Sequence, residues 1–158
     1  MAAKLSAGLL PYRWHAEWLE VFLVHPGGPF WATKDDGAWS IAKGEYDRGE
    51  DPWRAALREW EEEIGQPAPS GEATLLGEYR QPSGKLITGF AIGADFEIDE
   101  VVSNTFTMEW PPRSGVVGEF PEVDRAEWMP LEIASLKLIA GQRPFLDRLK
   151  VLVGTAGA

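Results

Sequence analysis

The sequence predicts an α/β or α+β domain in which helices and strands pack in layers. Strand-like apolar runs are interspersed with helix patterns, in an order that fits neither a helical bundle nor an all-β sandwich. The 158 residues are 44% hydrophobic and 25% charged, which is typical of a globular chain long enough to bury a core. We therefore expect residues 1–158 to form a single domain. The absence of cysteine excludes disulfides from its stabilisation.

Three strands and one helix are predicted in the first half of the chain. The strand-like segments are Ser6–Trp14, Trp18–His25 and Trp39–Ala42. A Pro-Gly-Gly-Pro turn at 26–29 follows the second of them, and a loop rich in glycine and acidic residues is predicted at Gly44–Asp51. A helix should then run from Pro52 to Ile64. Asp51 is a good N-cap before a proline at the first helical position, and Gly65 is a natural C-cap.

The second half is predicted to contain further strands followed by two helices. The strand candidates are Ala73–Gln81, Lys85–Phe96, Asn104–Trp110 and Ala126–Met129. The first two flank a Pro-Ser-Gly turn at 82–84 and should form a hairpin. The helices are predicted at Pro130–Leu138 and Pro144–Val153, and each opens with proline.

The composition excludes several classes of function. The net charge of −10 argues against nonspecific nucleic-acid binding, which needs a basic surface. No apolar segment is long enough for a membrane span, and the N-terminus does not resemble a secretory signal. With no cysteine and two histidines, thiolate zinc sites and histidine-rich metal sites are excluded. We expect a cytoplasmic protein, monomeric or homodimeric, whose partner is a small molecule and neither nucleic acid nor membrane.

The predicted helix from Pro52 carries an acidic face. Its apolar face contains Trp53, Ala56, Leu57, Trp60 and Ile64. Glu59, Glu62 and Glu63 gather on the opposite face, where each like-charge pair costs on the order of 0.2–0.5 kcal/mol. They also lie towards the C-terminal half, where the helix dipole disfavours anions. A divalent cation such as Mg²⁺ would neutralise this cluster; the alternative is a solvated acidic stripe.

The residues around this helix follow a specific spacing. Gly44, Glu50, Arg58, Glu59, Glu62, Glu63 and Gly65 stand in the pattern G-x5-E-x7-R-E-(apolar)-x-E-E-x-G. The segment GEYDRGEDPWRAALREWEEEIG resembles the Nudix box, and its only departure is Gln66, where the family usually has an aliphatic residue. The resemblance extends over roughly residues 5–150 and implies a Nudix-like α/β/α sandwich with a mixed central β-sheet.

The resemblance implies a metal site. By similarity, Glu59, Glu62 and Glu63 bind Mg²⁺, with Mn²⁺ as a substitute, and the carbonyl oxygen of Gly44 completes a coordination shell. The family often adds a carboxylate from a late loop as a metal ligand or general base. Glu122 is the best match to it, ahead of Glu119; the alternative is that both are solvated loop charges.

The resemblance also implies that Arg58 positions a catalytic carboxylate, since a guanidinium can hold a carboxylate in bidentate geometry. A surface ion pair with Glu62 or Asp51 is the alternative for this arginine. Glu50 is expected to pair with Arg58 or to brace the loop, and direct metal binding is the alternative.

Two further residues are candidates for substrate binding. Lys43 adjoins Gly44 and could contact a substrate phosphate, although a lysine at a loop edge can equally be solvated. Tyr79 lies slightly upstream of the position where related hydrolases of dinucleoside polyphosphates carry a tyrosine.

The tryptophans divide into two groups. Trp31 and Trp39 are candidates for stacking on a nucleobase, because indole offers a broad aromatic face. Trp53 and Trp60 lie on the apolar face of the helix and are predicted to pack in the core.

The resemblance implies an enzyme, a pyrophosphohydrolase that uses Mg²⁺ to split a diphosphate bond in a nucleoside diphosphate linked to another group. Nucleoside triphosphates and dinucleoside polyphosphates are the favoured substrates. The alternative is a Nudix-fold nucleotide-binding regulatory module that has lost catalysis. Such loss normally removes box carboxylates, and Glu59, Glu62 and Glu63 are all present.

Overall fold

The computed structural model describes residues 2–154, and Met1 and residues 155–158 lie outside this range. The strands are β1 (Leu5–His15), β2 (Trp18–Pro26), β3 (Ala42–Tyr46), β4 (Ala73–Arg80), β5 (Leu86–Gly93), β6 (Thr105–Glu109), β7 (Val117–Pro121) and β8 (Val123–Pro130). The α-helices are α1 (Pro52–Ile64), α2 (Leu131–Lys137) and α3 (Arg143–Val153), with a short 3₁₀ helix at Ala140–Gln142.

Six strands form a mixed central sheet in the order β4-β5-β1-β2-β8, with β3 paired to β1. The pairing of β1 with β5 is parallel, and the other pairings are antiparallel. β1 is long enough to pair with two neighbours on one side. Its first half pairs with β3 and its second half with β2. The first half of β1 therefore lies between β3 and β5.

Helices cover both faces of this sheet. Alternate side chains of β1 point to opposite faces, so Leu9 and Leu10 belong to different cores. The core under α1 includes Ala7, Leu9, Phe22, Val24, Trp60, Ile64 and Val123. The core under α2 and α3 includes Leu10, Val21, Leu23, Ile87, Leu138, Phe145 and Leu149. The predicted α/β/α sandwich with a mixed sheet is confirmed.

The predicted ends of α1 are confirmed. The Asp51 carboxylate accepts a hydrogen bond from the Arg54 backbone N–H at 3.3 Å, so it caps the helix. Gly65 ends the helix at φ 84° and donates its N–H to the Glu61 carbonyl at 2.9 Å. A Cβ at Gly65 would lie 2.5 Å from the carbonyl oxygen of Val102, so glycine is required here by space as well as by conformation.

The prediction of a strand at Trp39–Ala42 is wrong. Trp39 and its neighbour form only isolated bridges, and the strand β3 begins at Ala42 and continues to Tyr46. The first part of the predicted loop Gly44–Asp51 is therefore strand. Its glycine and acidic residues conceal the strand pattern, although each pairs with the start of β1.

The later elements follow the prediction with three differences. β5 ends at Gly93, before the predicted end at Phe96, and β8 begins at Val123, before the predicted start at Ala126. β7 was not predicted; it pairs with β6 in a separate two-stranded sheet. Gly118 and the flanking prolines had weakened its strand pattern.

Among residues 2–154, every helix is too short or too polar to cross a membrane. The assignment of residues 1–158 to a single domain stays a prediction.

Candidate active site

Five carboxylates line one cavity of about 300 Å³, which we call the carboxylate cavity. It is lined by Ser6, Lys43, Gly44, Glu45, Glu59, Glu62, Glu63, Lys85, Asn104 and Glu122. Six of the predicted site residues are therefore brought together: Lys43, Gly44, Glu59, Glu62, Glu63 and Glu122.

The acidic face of α1 is turned towards the sheet. α1 packs against β1 and β3, and buried Ala55 lies one turn before Glu59 on this face. The Glu59 side chain is only 12% exposed, whereas that of Glu62 is 41% exposed. The helical wheel had placed these carboxylates opposite the apolar face, but they border it. A solvated acidic stripe does not describe them, because Glu59 and Glu63 are half-buried.

Gly44 lies directly against the Glu59 carboxylate. A Cβ at Gly44 would be 1.9 Å from Glu59 Oε2 and 2.1 Å from its Cδ. Glycine thus allows a carboxylate of α1 to touch the backbone of β3.

Arg58 joins the loop before α1 to the acidic face. Its guanidinium donates to the Glu50 carboxylate, to the Glu45 carbonyl at 3.2 Å and to Glu59 Oε1 at 3.2 Å. Its Nε lies 3.8 Å from Glu62 Oε1. The predicted pairing of Glu50 with Arg58 is confirmed, and the contact with Glu59 gives Arg58 the geometry of a positioning residue.

Glu122 is held at the cavity by the segment that caps α1. The Asn104 N–H donates to the Glu62 carbonyl at 2.8 Å, and the Glu122 N–H donates to the Asn104 carbonyl at 2.8 Å. Asn104 thus satisfies one of the carbonyls left free at the helix end. It also fixes Glu122 next to the helical carboxylates, whereas Glu119 lies on β7 outside the cavity lining.

Burial and mutual repulsion hold a proton in this cavity. Burial and the neighbouring Glu59 and Glu122 carboxylates raise the pKa of Glu63 to about 8, despite the opposing effect of Lys43. Burial and the Glu62 carboxylate likewise raise the pKa of Glu59. Burial and the nearby Lys85 lower the pKa of Lys43. A divalent cation would relieve the repulsion between these carboxylates more than a proton does.

The residues present fit a magnesium ion. The donors are carboxylate oxygens, which Mg²⁺ prefers, and the Ser6 hydroxyl is buried in the lining without a hydrogen-bond partner among residues 2–154. Within the described chain, no three histidine or acidic side chains form a ready-made metal cage.

Three candidates for substrate binding, Tyr79, Trp39 and Trp31, lie outside the carboxylate cavity. Tyr79 packs against Phe145 with ring centroids 5.2 Å apart, and it does not line the carboxylate cavity. Trp39 is buried and donates its indole N–H to Asp35 at 2.8 Å, so it offers no free face for a base. Trp31 is half-buried and lines a neighbouring cavity.

The predicted core positions of Trp53 and Trp60 are confirmed. Sequence reasoning missed Ser6, Asn104 and Lys85 as parts of the site. Each is distant in sequence from the box. The pairing of β1 with β3 and β5 brings Ser6 and Lys85 to the site, and hydrogen bonds with Glu62 and Glu122 bring Asn104 there.

The raised pKa of Glu63 predicts how stability varies with pH. Its folded pKa of about 8 exceeds its ordinary value of 4.5, so its contribution to the free energy of unfolding is fully present below pH 4.5 and is lost as pH rises towards 8. Lys43, whose pKa is lowered, acts in the opposite sense at higher pH. Without divalent cations, wild type should lose stability between pH 5 and about 8 relative to Glu63→Gln.

Urea denaturation in a chelator at several pH values measures this difference. Added Mg²⁺ should reduce the loss in wild type, because the ion replaces the proton. Parallel pH profiles for wild type and Glu63→Gln would contradict the prediction.

Comparison with known protein families finds a match to the NUDIX domain over residues 5–149. Over 151 residues, the chain is 30% identical to an RNA pyrophosphohydrolase from Brucella anthropi, covering 77% of this chain and 78% of that protein. A second match, to the RNA pyrophosphohydrolase of Rhodospirillum rubrum, is 44% identical over 77 residues. It spans 47% of this chain and only 42% of that protein.

Solved structures share the fold. The NUDIX domain of Shewanella oneidensis NrtR, complexed with ADP ribose, has a TM-score of 0.68 at 15% identity and covers 98% of this chain and 90% of its own. A C. elegans Ap4A hydrolase binary complex has a TM-score of 0.63 at 21% identity, with 97% and 99% covered. At these identities the likeness concerns the fold alone.

Proposed function

Since this chain belongs to the NUDIX domain family, we propose that it is a Mg²⁺-dependent pyrophosphohydrolase that cleaves a diphosphate bond at the 5′-polyphosphate end of a nucleotide. The observation that carries the proposal is the carboxylate cavity, where Glu59, Glu62, Glu63 and Glu122 converge beside two lysines. Intact carboxylates argue against the alternative of a regulatory module without catalysis.

Each part of the cavity has a role in this proposal. Glu59, Glu62, Glu63 and Glu122 would hold Mg²⁺, together with the Gly44 carbonyl. Bound there, Mg²⁺ would neutralise phosphate charge and lower the pKa of an attacking water. Arg58 keeps the Glu59 carboxylate in place through its bond to Oε1. The ammonium groups of Lys43 and Lys85, which line the same cavity, would contact phosphate oxygens.

An apolar cavity next to these lysines suits a nucleobase. It measures about 450 Å³ and shares Lys43 and Lys85 with the carboxylate cavity. Its lining includes Trp31, Pro82 and Ile139. A base in this cavity would leave the attached phosphates beside the carboxylates. Tyr79 lines neither cavity and has no part in this arrangement.

We infer that the polyphosphate end belongs to RNA. The sequence relatives are called RNA pyrophosphohydrolases, and in an RNA chain a diphosphate bond occurs only at a 5′-polyphosphate end. This differs from the expectation of no nucleic-acid partner, which rested on the net charge of −10. Recognition of one end requires only a local cationic surface and not the broad basic face of a nonspecific binder.

The test is an incubation of the purified protein with a 5′-triphosphorylated RNA trinucleotide, nucleoside triphosphates, a dinucleoside tetraphosphate and ADP-ribose, with and without Mg²⁺ and Mn²⁺. Mass spectrometry identifies the products. We expect Mg²⁺-dependent release of pyrophosphate or phosphate from the RNA. Binding of a nucleotide without cleavage of any compound would instead support the regulatory module.

The Ser6 hydroxyl gives a prediction with opposite effects on stability and activity. In Ser6→Ala, removing a buried unpartnered hydroxyl should leave the free energy of unfolding unchanged or slightly higher. We expect the Mg²⁺ concentration for half-maximal activity to rise several-fold. The variant would lack the hydrogen bond that the Ser6 hydroxyl would form with water or phosphate around the ion. Urea denaturation and a Mg²⁺ titration measure the two effects. A destabilised variant with unchanged Mg²⁺ dependence would contradict this role.

The cytoplasmic location, the oligomeric state and the use of Mn²⁺ stay predictions.

A further inference from the structure

A second surface cavity, which we call the cationic cavity, opens beside the carboxylate cavity. It measures about 640 Å³ and is lined by Ala2, Ala3, Lys4, Arg80, Ser83, Gly84 and Lys85. Lys85 also lines the carboxylate cavity, so the two adjoin. Among the described residues, this lining contains three cationic side chains and no carboxylate.

The sheet topology brings these cations together from three strands. Lys4 precedes β1 and its carbonyl accepts a hydrogen bond from the Leu86 N–H at 2.9 Å, next to Lys85. Arg80 ends β4, where it pairs with Leu86 of β5. Arg48 adds a fourth cation nearby, because its guanidinium donates to the Ala3 carbonyl at 3.0 Å.

The positive charge of this cavity is poorly neutralised by the protein itself. Lys4 and Lys85 share one carboxylate, Glu45, at 3.9 and 3.7 Å, and the Lys4 side chain is 76% exposed. Arg80 contacts the Gly84 carbonyl at 3.2 Å and forms no ion pair within residues 2–154. In a chain of net charge −10, three cations with a single carboxylate partner between them indicate an anionic ligand.

We propose that the cationic cavity binds the first internucleotide phosphate of an RNA substrate whose 5′ end occupies the carboxylate cavity. This inference rests on the proposed function. The volume of about 640 Å³ exceeds that of the carboxylate cavity and suits a nucleotide unit better than a bare phosphate. The second nucleoside of a dinucleoside polyphosphate is uncharged, whereas the second nucleotide of RNA brings a phosphodiester, which the cations favour.

The experiment measures binding, so that it does not depend on turnover. The probe is a 5′-monophosphorylated RNA trinucleotide with a 3′-fluorescein, which contains no diphosphate bond and cannot be hydrolysed at one. Its Kd for the full-length protein with Mg²⁺ is measured by fluorescence anisotropy at several salt concentrations. AMP and adenosine 5′-tetraphosphate serve as competitors that contain no internucleotide phosphate.

The variant is Lys4→Ala with Arg80→Ala, and Lys85 is left intact because it also lines the carboxylate cavity. The matched control is Arg148→Ala with Lys150→Ala, which removes the same charge from exposed positions of α3. Circular dichroism and Tm verify that both fold.

We expect the trinucleotide Kd to rise about tenfold in the Lys4/Arg80 variant. The slope of log Kd against log salt should fall by about 0.7, the value for one phosphate of a single strand. The Kd values of AMP and adenosine 5′-tetraphosphate should change less than about twofold, and the control variant should behave as wild type.

Three results for the Lys4/Arg80 variant would overturn the proposal. The first is an unchanged trinucleotide Kd, and the second is an equal loss of affinity for AMP. The third is a loss of affinity for adenosine 5′-tetraphosphate without a loss of affinity for the RNA trinucleotide. Trinucleotide binding that depends on Lys4 and Arg80, combined with no hydrolysis of triphosphorylated RNA, would reject the proposed activity and keep this site.

Discussion

Replacing Glu62 by glutamine should lower kcat/KM for Mg²⁺-dependent hydrolysis by a factor on the order of 100 or more, with little change in stability. Glu62 lines the carboxylate cavity and its side chain is 41% exposed. Glutamine keeps the size of the side chain but removes the negative charge with which a carboxylate attracts a hard cation. The exposed position means that the amide has water as an alternative partner, so the fold should tolerate it.

Glu61→Gln is the matched control for this prediction. Glu61 is the adjacent residue on α1, is exposed and does not line the cavity. It changes the net charge by the same amount, so an effect of overall charge would appear in both variants. We expect the control to retain wild-type kcat/KM, measured over a range of Mg²⁺ concentrations. Equal losses in Glu61→Gln and Glu62→Gln, or full activity in both, would remove Glu62 from the proposed metal site.

Substituting Glu62 also separates an effect on catalysis from an effect on folding better than substituting Glu59 or Glu63 would. Glu63 is half-buried and its pKa of about 8 means that a neutral side chain already resembles its metal-free state. Substitution there should therefore stabilise the metal-free protein while it removes a ligand. Glu59 accepts a hydrogen bond from Arg58, so its removal would take away one of the acceptors that hold this guanidinium. Of the three carboxylates, Glu62 is the one whose substitution should disturb the structure least.

The helix and its carboxylates could be predicted from sequence because their signals are local. Asp51 and Gly65 define the helix ends through hydrogen bonds to the backbone of the helix itself. The spacing of Glu59, Glu62 and Glu63 follows from the helical repeat. The pairing of Arg58 with Glu50 spans only seven intervening residues. None of these features depends on how distant strands pair.

The remaining parts of the site depend on strand register, which periodicity does not determine. Ser6 and Lys85 reach the cavity because the start of β1 lies between β3 and β5. β3 itself was hidden, since its Gly44 and Glu45 resemble loop residues in sequence. Tyr79 matched a family position only approximately, and in the fold its ring turns to Phe145 on α3. A sequence offset of a few residues can change the face of a strand and thus the role of a side chain.

Gly44→Ala is expected to have the second large effect, through a single methyl group. The new Cβ would lie 1.9 Å from Glu59 Oε2 and 2.1 Å from Glu59 Cδ. Since these atoms form the end of a flexible side chain, Glu59 can rotate away, and the cost to stability should be small. The displaced carboxylate would leave both its place beside Gly44 and its contact with Arg58. We expect kcat/KM to fall by a factor on the order of 10 to 100 and the Mg²⁺ requirement to rise.

Gly49→Ala, in the loop that follows β3, shows whether the effect comes from the position of Gly44 or from the loss of any glycine in this region. A Cβ at Gly49 would meet no atom within 4 Å, so this variant should keep wild-type activity. Tm for both variants should stay within a few degrees of wild type, because neither glycine requires a positive φ. If Gly44→Ala were fully active with unchanged Mg²⁺ dependence, the Glu59 carboxylate would not need its place beside β3. The proposed ion would then have to be held by Glu62, Glu63 and Glu122 without it.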